Sequence, residues 1–179
     1  MIPRVPSFRV FAFAALAVLA LPGATFAATV QAWLLRSYDW KDSVVSTDPK
    51  EKQALEKGGW TVSGTGNLQT APQKGATPLH RLARAGKEAT DRMLESNPAK
   101  IAGHVKNGFG DEGVLGYVSS EEKPGLLPVH HFTKDDLHFW LMDLSEQAAA
   151  EKQGWKKVGV SFWVWPVTTT AAPAAKAAK

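Results

Sequence analysis

The chain has 179 residues, a formal net charge of +4, seven tryptophans and no cysteine. Without cysteine there is no disulfide, no thiol chemistry and no thiolate metal site, so the fold rests on its apolar core alone. The basic residues form no cluster of the kind that reads nucleic acid, and no stretch after the N-terminus approaches the ~20 apolar residues of a membrane helix.

Arg4 and Arg9 precede an apolar run from Val10 to Leu21, then Pro22-Gly23 and the small-residue site Thr25-Phe26-Ala27. This order predicts a cleavable signal peptide over residues 1–27, and an exported protein of the periplasm or extracellular space. Once Arg4 and Arg9 are removed, the remaining chain is closer to neutral. Residues 28–166 have the length of one domain. Residues 167–179, rich in Ala, Thr and Lys, read as a disordered tail.

Glycine-aromatic pairs recur at Gly59-Trp60, Gly108-Phe109 and Gly154-Trp155, at a period of just under about 50 residues, which signals an internal repeat. At one fixed distance before each glycine stand Asp48, Asn97 and Asp143. These residue types cap helix N-termini by accepting an unpaired backbone N–H. Pro49 and Pro98 follow at the first helical position, and Glu51 and Glu146 sit where a capping box places its acid. Helices are therefore predicted over 49–58, 98–107 and 144–153, each closed by its glycine in the left-handed conformation. Gly64-Thr65-Gly66 reads as a turn.

Strands flank each helix. Residues 32–36, 79–82 and 129–132 open the units, 43–46, 92–95 and 138–141 precede the caps, and β-rich runs such as 114–118 and 158–165 follow the aromatics. The units span about residues 30–70, 77–120 and 127–166. Gln69 to Gly75 and Lys123-Pro124-Gly125 read as linkers. One strand-strand-helix-strand unit cannot bury its apolar face alone. The expected fold is thus α+β, with three such repeats closed into a compact, pseudo-threefold, β-trefoil-like monomer. Trp60, Phe109 and Trp155 are its expected core anchors.

The third unit reads Pro128-Val129-His130-His131-Phe132, then Leu137-His138-Phe139-Trp140, then Gly154-Trp155-Lys156-Lys157-Val158-Gly159-Val160-Ser161-Phe162-Trp163. It resembles an uncharacterised tandem repeat of secreted bacterial proteins, whose unit reads Pro-Val-Tyr-Arg, Asp-His-Phe-Tyr-Thr and Gly-Trp-x-x-Glu-Gly-Val-Ala-Phe-Tyr. That family's repeats often come in threes and are frequently appended to hydrolases, so the resemblance implies an accessory module. The family's Asp-His pair is Asp42-Ser43, Asp91-Arg92 and Leu137-His138 here. His138 then marks the surviving ligand face, and Ser43 and Arg92 mark two decayed ones.

The chemistry-bearing residues are few. His130, His131 and His138, with Asp136, have the ligand types for a metal-assisted hydrolase. But adjacent strand histidines face opposite ways and the spacing matches no established metal motif, so no metal or cofactor is expected. No serine sits in a nucleophile elbow. The neighbouring acids at Asp111-Glu112, Glu121-Glu122 and Asp135-Asp136 read as solvated loop residues. The leading expectation is a non-catalytic binding module for a glycan or an envelope protein. Its ligand residues would be His130, His131, His138 and Trp140, with Tyr38 and Trp40 on an exposed turn. The alternatives are the metal-assisted hydrolase and a structural or inhibitory protein acting through its surface.

Overall fold

The computed structural model describes residues 28–86 and 90–167. The signal-peptide reading, and the tail reading from residue 168 onward, lie outside the described residues. Among the described residues, nine strands and three short helices follow in order. They are β1 (Thr29–Arg36), β2 (Ser43–Ser46), α1 (Pro49–Lys57), β3 (Thr61–Gln69), β4 (Ala76–Ala85), β5 (Thr90–Glu95), α2 (Pro98–Lys106), β6 (Gly110–Ser119), β7 (Leu127–Lys134), β8 (Leu137–Leu141), α3 (Gln147–Lys152) and β9 (Lys156–Val164). A 3₁₀ turn, Leu144–Glu146, leads into α3.

Every strand pairing is antiparallel. β1 pairs with β2 and β3, β4 with β5 and β6, and β7 with β8 and β9. The sheet runs β2-β1-β3-β6-β9-β7-β8, with β4 and β5 branching from β6. Its three parts join as a sheet through single residue pairs, Gln69 with Tyr117, Ser119 with Trp163, and Asn67 with Trp165.

This corrects the expected α+β, β-trefoil-like fold. The molecule is one antiparallel sheet with short helices attached. α1 and α2 bury no residue and α3 buries only Ala150, so the helices form no layer of the core. A fold counts as α+β when helices pack an apolar stripe on the sheet, and these have none to offer.

The caps form as their residue types dictate. Asp48, Asn97 and Asp143 accept from the backbone N–H groups of Lys50, Ala99 and Ser145 at 2.8, 3.0 and 2.8 Å. Gly59, Gly108 and Gly154 close the helical segments at φ of 85°, 89° and 91°, where a side chain would be strained. The capping boxes do not form. Glu51 instead meets Ser46 and Arg81, and Glu146 meets Arg36. Gly64 and Gly66 lie inside β3 rather than in a turn. A Cβ on them would come within 2.6 Å of Met142 and 2.5 Å of Val164, so they admit the third part of the chain against the first.

The main core draws on all three parts of the sheet. Ala32, Leu34, Val45 and Leu68 pack with Leu79, Leu94 and Val118, and with Val129, Trp140, Phe162 and Val164. Phe109 and Trp155 are buried in two satellite clusters beneath their own hairpins. Trp60, expected to match them, is only half-buried. It lies under the Arg92 guanidinium at 5.8 Å.

Candidate functional site

Alternation along β7 sends His130 and His131 to opposite faces. His131 lies opposite Trp140 in the register, and Thr133 lies opposite His138. The rings of His131 and Trp140 stack at 4.4 Å, and those of His131 and His138 at 5.3 Å with 6° between planes. This ladder forms one wall of a groove of about 490 Å³. The opposite wall is the end of β5 and one side of α2, with Glu95, Asn97, Lys100 and His104, and the β9 side chains Val158 and Val160 form the remaining edge. The groove continues past His138 and His104 into a second hollow bordered by Arg84, Asn107 and Asp136.

His138 is fixed from behind. Its backbone N–H donates to Asp91 Oδ1 at 3.1 Å, and its Nδ1 lies 3.1 Å from the same oxygen. A carboxylate only accepts, so Nδ1 carries a proton, and in the neutral ring Nε2 keeps its lone pair. Arg84 donates to the other Asp91 oxygen at 3.0 Å. The Asp91 side chain is 1 % exposed and doubly paired. The same logic recurs at Asp42, to which Arg92 donates. Ser43, fully buried, accepts the Trp140 backbone N–H at 2.9 Å. Ser43, Arg92 and His138 therefore bond across from one part of the sheet to another.

Burial, with His138 beside it, pushes the His131 pKa down to about 4, although Asp91 pulls the other way. His131 is neutral at pH 7, and its buried Nε2 has no partner among the described residues. Burial also lowers His130, with Lys157 contributing. Asp42 moves the opposite way, to about 6, because burial outweighs the Arg92 charge.

The expected ligand residues thus separate. His131, His138 and Trp140 come together, with Trp140 buried behind the two imidazoles. His130 is buried on the other face, opposite Leu141. Trp40 packs on Phe139 at 5.9 Å, and its carbonyl accepts from Trp155 Nε1 at 2.7 Å, so it locks the first hairpin to the third. Tyr38 is 77 % exposed and stands apart from the groove. Asp136 borders the second hollow through the β7–β8 turn. His130, His131, His138 and Asp136 do not converge, and no group of three or more metal-type side chains gathers among the described residues. Sequence reasoning missed Glu95, Asn97, Lys100 and His104. A signal for them existed, since β5 and α2 hold the second unit's place, but nothing in the sequence showed which unit they would face.

The fold and groove define a class: a small antiparallel β domain with a polar groove between two of its hairpins. Residues 34–165 match the family described as a domain of unknown function, DUF5648, and the chain belongs to that family. No curated protein and no solved structure matches it. No described helix is long and apolar enough to cross a membrane.

Proposed function

We propose that this protein is an exported, non-catalytic binding module whose groove between β5–α2 and β7–β9 holds a segment of an envelope glycan. The observation that carries the reading is the His131–His138–Trp140 ladder, held rigid by Asp91, facing a polar rim across about 490 Å³. Within the ladder the rings cover one another and Trp140 is buried, so what it offers a sugar is the two half-buried imidazoles. His138 Nε2 can accept from a hydroxyl, and the amide and carboxylate of Asn97 and Glu95 add polar groups that fix orientation. Ring positions set by a buried carboxylate are preorganised, so little ordering is lost on binding. Export rests on the N-terminal pattern of Arg4, Arg9 and the following apolar run.

Retention of the mature chain on insoluble cell-wall glycan tests the reading. His138→Gln keeps a donor for Asp91 but removes the ring, and should reduce retention about tenfold, the effect of losing ~1.4 kcal/mol. Tyr38→Ala, outside the groove, should leave retention unchanged. Equal retention of wild type and His138→Gln would remove the groove as the site, and no retention at all would remove the function.

A further inference from the structure

The three hairpins share a register. A break falls at Leu34/Leu35, at Arg81/Leu82 and at His131/Phe132. Across the hairpin, Leu35 lies opposite Val44, Leu82 opposite Met93, and Phe132 opposite Phe139. Leu34, Arg81 and His131 therefore occupy one position. Three residues past each cap stand Glu51, Lys100 and Glu146, again one position.

At two junctions the strand position lies against the helix position of the preceding part: Arg81 against Glu51, and His131 across the groove from Lys100. Arg81 donates to Glu51 at 2.9 Å and to the Val45 carbonyl at 3.0 Å, filling the junction between the first two parts. It also meets Glu112 at 2.6 Å. Between the third part and the first, Glu146 meets Arg36 at 2.8 Å, two residues beyond Leu34, which is buried in the core. At the remaining junction both members differ. The strand position is the neutral His131 and the helix position is Lys100, and both line the groove. Lys100 has no ion pair among the described residues. Glu95 is engaged, accepting from the Asn97 N–H at 2.7 Å and lying 3.3 Å from His104 Nε2.

We infer that the groove takes an anionic ligand, a carboxylate- or phosphate-bearing glycan, whose charge pairs with Lys100 in place of the ion pair that the other two junctions hold. The inference rests on the glycan-binding reading and adds the charge. Lys100 contributes the cation, and Nε2 of the neutral His138 ring an acceptor for a neighbouring hydroxyl. A neutral imidazole at position 131 leaves room that an arginine would fill.

Calorimetry of the mature chain against three probes of equal length tests this: an oligogalacturonate, a phosphorylated oligosaccharide and a neutral oligogalactoside. At low salt one anionic probe should bind about tenfold tighter than the neutral one, and which of the two does so identifies the source of the charge. Moderate salt should narrow that gap, because Lys100 is exposed and screened. Lys100→Gln, at a surface position that does not endanger folding, should abolish the preference for the anionic probe over the neutral one. Equal binding of all three probes, or a preference that survives Lys100→Gln, overturns the anion inference while the glycan reading stands. Binding of none overturns both.

Discussion

Two groups displaced in opposite directions by burial, Asp42 and His131, give stability slopes of opposite sign in acid. Asp42 titrates at about 6 in the folded chain against an ordinary 3.8. The folded state therefore keeps a proton that the unfolded state has released. This stabilises fully below 3.8 and is lost as pH rises through 6. His131 titrates at about 4 against 6.5, so its contribution is present above 6.5 and lost as pH falls through 4. Between pH 4 and 6 the two slopes oppose, each worth about 2–3 kcal/mol over its window. Asp42→Asn should expose the His131 slope, with stability falling on acidification from 6.5 to 4. His131→Leu should reverse it. Urea midpoints across that range check both, and parallel profiles for the two variants would show that neither group titrates as described. Ser43 is a second case. Its sequence context reads as a decayed ligand position, where Ser43→Ala should do nothing. In the structure its hydroxyl is the acceptor for a buried Trp140 N–H. Ser43→Ala should cost about 1–3 kcal/mol, the penalty for stranding a buried donor. An unchanged denaturation midpoint would refute this.

At the scale of the element, the helices were legible because their signals are local. A cap needs one side chain and two or three following N–H groups, and a closing glycine needs only its own backbone. Asp48→Ala should destabilise by about 1 kcal/mol, and Asp143→Ala should lower the denaturant midpoint as well. No shift in either would mean that those carboxylates do not hold the helix starts. The same local reading failed for the capping boxes, because Glu51 and Glu146 found arginines from distant strands. It failed again at Trp60, whose place in the pattern matches Phe109 and Trp155 but whose surroundings do not. Trp155→Ala should cost about 3–5 kcal/mol, since it empties a buried site and removes the bond to the Trp40 carbonyl. Trp60→Ala should cost clearly less. Equal losses in thermal denaturation would return Trp60 to the core.

The whole molecule is governed by how its three hairpins meet. Two junctions are sealed by Arg81–Glu51 and Arg36–Glu146, and the third opens into the groove. Burial alone would raise the Glu51 pKa, yet Arg81 and Ser46 outweigh it and the carboxylate titrates below its usual range. If the junctions are equivalent, Lys100→Glu combined with His131→Arg should rebuild the missing pair. A double-mutant cycle should then show a favourable coupling of about 1 kcal/mol, an ordinary value for residues in contact. A coupling indistinguishable from zero would mean that positions 100 and 131 do not meet as 51 and 81 do.

The sequence by itself determined the strand-strand-helix-strand order, the capped helix starts, the glycines that end the helical segments and the opposed faces of His130 and His131. Each depends on residues within a turn or two of one another along the chain. Only the tertiary structure decided that the helices lie outside the core, that Gly64 and Gly66 are points of close packing, and that β5–α2 rather than another segment faces His131 and His138. Those outcomes depend on side chains far apart in sequence, such as Asp91 with His138 or Arg81 with Glu51. Such pairings follow from the way the hairpins close on one another, which no local pattern encodes.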